Sequence, residues 1–303
     1  MAKGTDIGTS TGEDYTVRSH FYTPPPQFDG CFTTFYHMSL KVEGDAKVHD
    51  FLQPEWANIR FFAGSRPSAR MGQLSVSGAQ FVATGPSSLP CEFEVGTAEM
   101  WGIGFLPLGW ARFIDANAYD MANGLWDGST HPPFSKFDAL AGVLCDLDMT
   151  REEQFAELVA VMNAMMRPNR DEDKILRVHQ ALVEGSCLGV GELADACAMS
   201  IRTLERLCRR YFGFTPKTLM RRQRFTRSLA SFMLQPGSHW TEVMDRDYHD
   251  QAQFTREFNE FMTMNPTEYA SLDHPILRSF IEARARIWGS AAQALDKPKR
   301  AKD

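Results

Sequence analysis

The chain has 303 residues, of which 43% are hydrophobic, and a formal net charge of −6. That is enough apolar material for two folded units and excludes a largely disordered chain. No apolar run reaches the roughly eighteen residues needed to cross a bilayer, and the opening MAKGTDIGTSTGEDYT lacks the basic start and apolar core of a signal peptide, so a cytoplasmic protein without membrane segments is expected. Cys31, Cys91, Cys145, Cys187, Cys197 and Cys208 are scattered without a Cys-x-x-Cys pair, the pattern of free thiols in a reducing compartment.

The net charge conceals an asymmetry. Residues 1–170 hold 12 Lys+Arg against 20 Asp+Glu, whereas residues 171–303 hold 20 against 18. Between Ile201 and Ala230 nine residues are basic and Glu205 alone is acidic. A surface helix that only faces water normally mixes both signs, so this stretch points to a polyanion.

In chain order, residues 1–16 read as a polar, disordered tail, and residues 17–30, with Pro24, Pro25 and Pro26, as a leading arm that cannot be helical. From Cys31 to Pro107 the runs FTTFYHMSL, NIRFFAG, AQFVATGP, CEFEVG and EMWGIGFLP alternate with turn residues, as the strands of a sandwich or small barrel do. After Leu108 the pattern becomes helical. QFAELVAVMNAMM places Phe155, Leu158, Val159, Met162, Met165 and Met166 near one face, which either covers the β-rich unit or pairs two subunits; periodicity alone leaves both readings open.

A second domain opens near Asn169, where Asn169 and Glu172 have capping-box spacing and acids sit at the positive end of the helix through ILRVHQALVEG. Within it, residues 192–216 align with 242–266 at a constant offset of fifty, pairing Glu192 with Glu242, Asp195 with Asp245, Leu204 with Phe254, Arg206 with Arg256 and Pro216 with Pro266. Each copy reads as helix, tight turn, helix. In the first, Leu193, Ala194 and Cys197 point inward, Ala198 to Ser200 turn, and Ser200 caps IRTLERLCRRY. At about 100° per residue, Ile201, Leu204, Leu207, Cys208 and Tyr211 share one side while Arg202, Arg206, Arg209 and Arg210 lie opposite.

Such a division suits a helix in the major groove, because guanidinium groups can pair with guanine edges or clamp phosphates while the apolar side holds the scaffold. Arg202 and Arg206, flanking Thr203, are the expected base readers. Arg209 and Arg210 lie further along and fit phosphate, as do Lys217, Arg221 and Arg222 of the following helix, which Thr215 caps and Pro216 opens. In the second copy Asp250 and Gln253 form a capping box, Phe254, Phe258 and Phe261 pack, and Ala252, Gln253, Arg256 and Asn259 face outward. Residues 231–275 hold eight acids against Arg246 and Arg256, so this unit should read bases weakly or touch polymerase instead.

SIRTLERLCRRYFGFTP and DQAQFTREFNEFMTMNPTEY closely resemble the paired signatures of the AraC/XylS family of transcriptional regulators, over about residues 171–272. That resemblance implies a seven-helix DNA-binding domain whose two recognition helices, 201–211 and 251–261, enter successive major grooves of double-stranded DNA. Thr263 stands where the family usually has glycine, and Asp247-Tyr248 where Gly-Phe is commoner. VATGPSSLP and GIGFLPLGWARFI resemble the cupin-like regulatory domain found before some AraC-type domains, which implies effector sensing or dimerisation.

The expected fold class is α+β, a β-rich cupin-like barrel or sandwich followed by an all-α domain. Its expected divisions are a tail at 1–16, the β-rich domain at 17–135, a helical linker or dimerisation segment at 136–168, the DNA-binding domain at 169–275 and a C-terminal tail at 276–303. Phe35, Phe61, Phe93, Trp101 and Phe105 could enclose a small apolar effector. A cupin enzyme would need a His-x-His pair and a following Glu for a metal, and His37 and His49 stand apart; no other catalytic motif is present, so neither an enzyme, a metal nor a cofactor is expected. A repair protein would need a metal–thiolate cluster that the scattered cysteines do not supply. The remaining rival is a scaffold of the same fold that has lost DNA binding, which the acidic second unit motivates.

Overall fold

The computed structural model describes residues 5–12, 14–235, 237–289 and 291–298. Among the described residues there are eleven strands, the last of them after the first α-helix: β1 (Thr5–Thr11), β2 (Tyr15–Tyr22), β3 (Phe32–Val42), β4 (Val48–Leu52), β5 (Asn58–Gly64), β6 (Ser68–Met71), β7 (Leu74–Ser77), β8 (Phe81–Thr84), β9 (Cys91–Val95), β10 (Ala98–Phe105) and β11 (Leu125–Asp127). They form a seven-stranded sheet in the order β1-β2-β3-β10-β5-β8-β11 and a four-stranded sheet in the order β4-β9-β6-β7. All pairings are antiparallel. The five β-rich runs of the sequence are the strands β3, β5, β8, β9 and β10.

Within the first sixteen residues, the described ones depart from the expected tail. β1 pairs with β2 from Thr5↔Phe21 to Thr11↔Thr16, and β2 pairs in turn with β3. Edge strands need few apolar side chains, since their backbone hydrogen bonds supply the pairing, and the polar TDIGTST therefore carried no visible strand signal. Residues 1–4 and 13 of that segment lie outside the described residues.

β3 and β10 are buried on both faces. On one side Met38, Leu40 and Met100 meet Val48, Met71 and Val95 of the smaller sheet, closing a sandwich. On the other, Phe32, Phe35, Trp101 and Phe105 pack under helices α1 (Pro107–Phe113), α2 (Pro132–Ser135), α3 (Ala141–Leu144) and α4 (Arg151–Met165). Thr150 and Glu153 form a capping box that starts α4. Its Phe155 stacks on Tyr22 at 4.5 Å, and Gln154 accepts a hydrogen bond from Trp101 Nε1 at 2.7 Å. The apolar stripe of α4 therefore covers its own sandwich.

The remaining helices are α5 (Glu172–Glu184), α6 (Val190–Ala196), α7 (Ile201–Phe212), α8 (Pro216–Leu234), α9 (Trp240–Val243), α10 (Gln251–Met262), α11 (Pro266–Ala270) and α12 (Pro275–Trp288). The expected Asn169–Glu172 capping box does not form. Asn169 Oδ1 accepts from the Asp171 N–H at 2.9 Å, and the Glu172 carboxylate is instead held by Arg112 of α1 at 2.5 Å. Within the expected C-terminal tail, the described residues include α12 and a short turn at Gln293–Leu295, while residues 290 and 299–303 lie outside the described residues. Ile276 and Ala283 of α12 are buried in the cluster between the two sheets, and Gln293 Oε1 accepts from Asn58 Nδ2 at 3.2 Å.

The β-rich and helical regions meet in a buried contact centred on Trp56. The Arg222 guanidinium lies 3.9 Å from the Trp56 ring and donates to the carbonyls of Ser87 at 3.0 Å and Glu55 at 3.3 Å. Phe212 and His179 approach the same ring edge-on. Burial pushes His179 down to about 3, so it is neutral here, and pushes Arg222 down to about 9, so it remains charged at neutral pH.

Candidate nucleic-acid interface

The first helix-turn-helix unit is α6 and α7. Its turn passes through Ala198 at φ +51°, and the Met199 N–H donates to Ala194 O at 3.0 Å, drawing the two helices together where Ala194 has almost no side chain to interfere. Ser200 Oγ accepts from the Thr203 N–H at 3.2 Å and caps α7. Leu204, Leu207, Cys208 and Tyr211 are buried, while Arg202, Arg206, Arg209 and Arg210 are exposed. Ile201, expected on the apolar side, is 49% exposed because the first residue of the helix projects beyond the packed turn.

The four arginines are not equivalent. Arg209 rests on the ring of Tyr119 at 4.8 Å, a residue of the β-rich region, and the Ala118 N–H donates to Arg210 O at 2.9 Å. Together with Asp115 and Asn117, Arg206, Arg209 and Arg210 border a cleft of about 690 Å³. Arg202 at the start of α7 lies clear of this contact. Thr203 is half-buried, its hydroxyl 3.0 Å from Ser200 Oγ. At the start of α8, Thr215 caps through the Thr218 N–H at 3.2 Å, Pro216 follows, and Lys217 is exposed.

Two of the expected phosphate contacts are placed otherwise. Arg222 is buried against Trp56, where it can reach no phosphate in this arrangement. Arg221 donates from Nε to Glu257 at 2.9 Å and from Nη1 to Glu260 at 3.0 Å, and these carboxylates hold its charge firmly. Arg224 donates to Glu257 at 2.6 Å, and Arg227 pairs with Asp245 and Asp247. Much of the basic stretch of α8 is thus neutralised by acids of the second unit.

That unit is α9 and α10. Asp250 Oδ1 accepts from the Gln253 N–H at 2.6 Å, but Gln253 Oε1 returns to the N–H of His249, one residue before the cap. Ala252, Arg256 and Asn259 are exposed and Gln253 half-exposed, while Phe254, Phe258 and Phe261 are buried. Glu257, a residue the sequence reading passed over, is 4% exposed and also accepts from the Tyr248 hydroxyl at 2.9 Å. Burial and the Glu257 carboxylate raise the Tyr248 hydroxyl well above its usual range, so it stays a donor. The offset of fifty carried the signal, since it sets Glu257 against the buried Leu207 of the first unit.

Residues 193–271 match a protein family described as a helix-turn-helix domain. The chain carries an AraC-type helix-turn-helix domain. The matched span runs from α6 through α11 and so takes in both units of the AraC-type domain and the α8 helix joining them, leaving α5 and α12 outside. No curated protein matches the chain. Among solved structures it is similar to ToxT from Vibrio cholerae, at 10% identity over 85% of this chain and 98% of that one, with a TM-score of 0.43. A structure of ToxT bound to an unsaturated fatty acid gives 9% identity, 86% and 95% coverage and a TM-score of 0.41. The AraC-like transcriptional activator CuxR gives 13%, 72% and 82%, with a TM-score of 0.30. Among the described residues no helix is long and apolar enough to cross a membrane.

Proposed function

We propose that the chain is a sequence-specific transcription regulator that binds double-stranded DNA chiefly through α7. The supporting observation is the outer face of that helix, which presents exposed Arg202 and Arg206 on a capped helix whose opposite side is fixed in a core. Arg202, Thr203 and Arg206 read base edges; Arg209, Arg210 and Lys217 hold phosphates. Ala252, Gln253, Arg256 and Asn259 give α10 a weaker contact in the next groove. Domain limits near 169 and 275 enclose this reader, with α12 returning from it to the sandwich.

The N-terminal sandwich is the regulatory part in this reading. Between its sheets lies a cavity of about 90 Å³ bounded by Tyr36, Arg60, Ala69 and Phe93 on the sandwich side. Of the aromatic residues expected to enclose a ligand, Phe35, Phe61, Trp101 and Phe105 belong instead to the solid cluster beneath the helices, and Phe93 alone reaches this space. Glu55 pairs with Arg60 at 2.5 Å, and Arg60 Nη1 has no hydrogen-bond partner among the described residues. A mostly apolar space with one donor to spare suits a small apolar effector bearing an oxygen acceptor.

Selection of bound fragments from random DNA, followed by footprinting, tests the reading. Enrichment of one sequence with protection spanning adjacent major grooves is expected. Uniform, sequence-independent protection, or none, overturns it in favour of a scaffold of the same fold.

A further inference from the structure

Helix α12 leaves the second helix-turn-helix unit and ends on the sandwich. The fully buried Asp50 carboxylate of β4 accepts from the backbone N–H groups of Ile276 and Leu277 at 2.8 and 2.7 Å, so a residue of the sandwich satisfies the first turn of a helix from the other region. The same carboxylate faces His274 Nδ1 at 3.2 Å. His274 stacks on Tyr269 of α11 at 4.3 Å, and Tyr269 meets Phe258 of α10 at 5.6 Å. Packed groups therefore run without a break from Asp50 to the helix that faces the second groove. Only residues 271–274 separate α11 from α12, too short a connection for the two to move independently.

Helix α12 also walls the cavity. Ile276, Leu277, Phe280 and Ile281 face into it, and Phe280 stands edge-on to Phe21 at 5.4 Å and Tyr36 at 5.2 Å. What remains, about 90 Å³, holds only a few water-sized groups.

We infer that α12 is an intramolecular clasp: it fills the mouth of the sandwich cavity and fastens the second DNA-binding unit to the sandwich, so that filling the cavity and freeing that unit are one event. Its trigger rests on the effector reading above; the clasp itself rests on the contacts of Asp50 and Phe280. An occupant larger than the present cavity must move the α12 side chains, and the short link carries that movement to α11 and α10.

Two full-length variants test it by hydrogen exchange and DNA footprinting. Phe280→Ala removes the anchor, and Ala69→Leu fills the cavity from the sandwich side; Glu282→Ala, on the exposed face of α12, is the control. In both test variants amides of residues 275–288 should exchange roughly tenfold faster or more, those of residues 240–272 should follow, and protection of β3 and β10 should hold. Affinity for a selected DNA site should change about tenfold, with the change confined to the groove facing α10. The clasp is overturned if α12 exchange stays at the control level in both variants, or if α12 loosens while residues 240–272 and the footprint do not change. If neither the parent protein nor the variants bind any sequence selectively, the regulator reading falls, and the exchange of residues 240–272 still decides the clasp.

Discussion

The two helix-turn-helix units have second helices of equal length, twelve residues each, and differ in what those helices do with charge. At the offset of fifty, buried Leu207 of α7 corresponds to buried Glu257 of α10, and exposed Arg210 corresponds to Glu260. In the first unit the inner face is apolar and the arginines point away. In the second, Glu257 and Glu260 turn toward α8 and take Arg221 and Arg224. One unit spends its polar chemistry on the outside, the other on fixing the joining helix. At corresponding positions the first unit leaves its arginines exposed, while the second braces the joining helix.

The comparison is broken most severely by removing the apolar member of that pair. Leu207→Ala, at a position 3% exposed, should cost about 2 to 5 kcal/mol in denaturant unfolding, with DNA affinity falling only as far as the folded fraction does. A loss of affinity without a loss of stability would mean that Leu207 acts in contact rather than packing.

The next largest effect separates the readers. Arg206→Ala should weaken the selected site by about 1 to 3 kcal/mol and relax the sequence preference at one position, while Arg256→Ala should cost clearly less in the same titrations. Equal losses would restore the second unit to full partnership.

The smallest effect lies at the helix ends. Gly213 closes α7 at φ +85°, where glycine is unstrained, whereas Thr263 closes α10 at φ +56°, a conformation that β-branched residues rarely adopt. Thr263→Gly should therefore stabilise the protein by about 1 kcal/mol, read as a higher unfolding midpoint. A lower midpoint would show that the hydrogen bond from its hydroxyl to Met262 O at 2.7 Å outweighs the strain.

Much of this was visible in the sequence where the determinants are local. Ser200, Thr215 and Asp250 act on backbone groups three residues away, so their caps could be read directly. The strands β3, β5, β8 and β10 announced themselves through largely buried, apolar-rich runs, and β9 through the alternation of Cys91, Phe93 and Val95 with the surface-paired Glu92 and Glu94. The fate of Arg222 could not be read, since its carbonyl partners lie 135 and 167 residues earlier, nor could the capping of α12 by Asp50 across 226 and 227 residues. Cationic composition gave the number of arginines in α8, but only the tertiary arrangement shows which of them face inward or toward acids.

That arrangement has a consequence for how ionic strength should act on the complex. Nine basic residues lie between Ile201 and Ala230, but Arg221, Arg222, Arg224 and Arg227 are already engaged within the chain. Ions released from DNA on binding should then reflect the three residues assigned to phosphate, Arg209, Arg210 and Lys217. The slope of log affinity against log salt should approach about −2.7 from this region, well short of the roughly −8 that nine phosphate contacts would give.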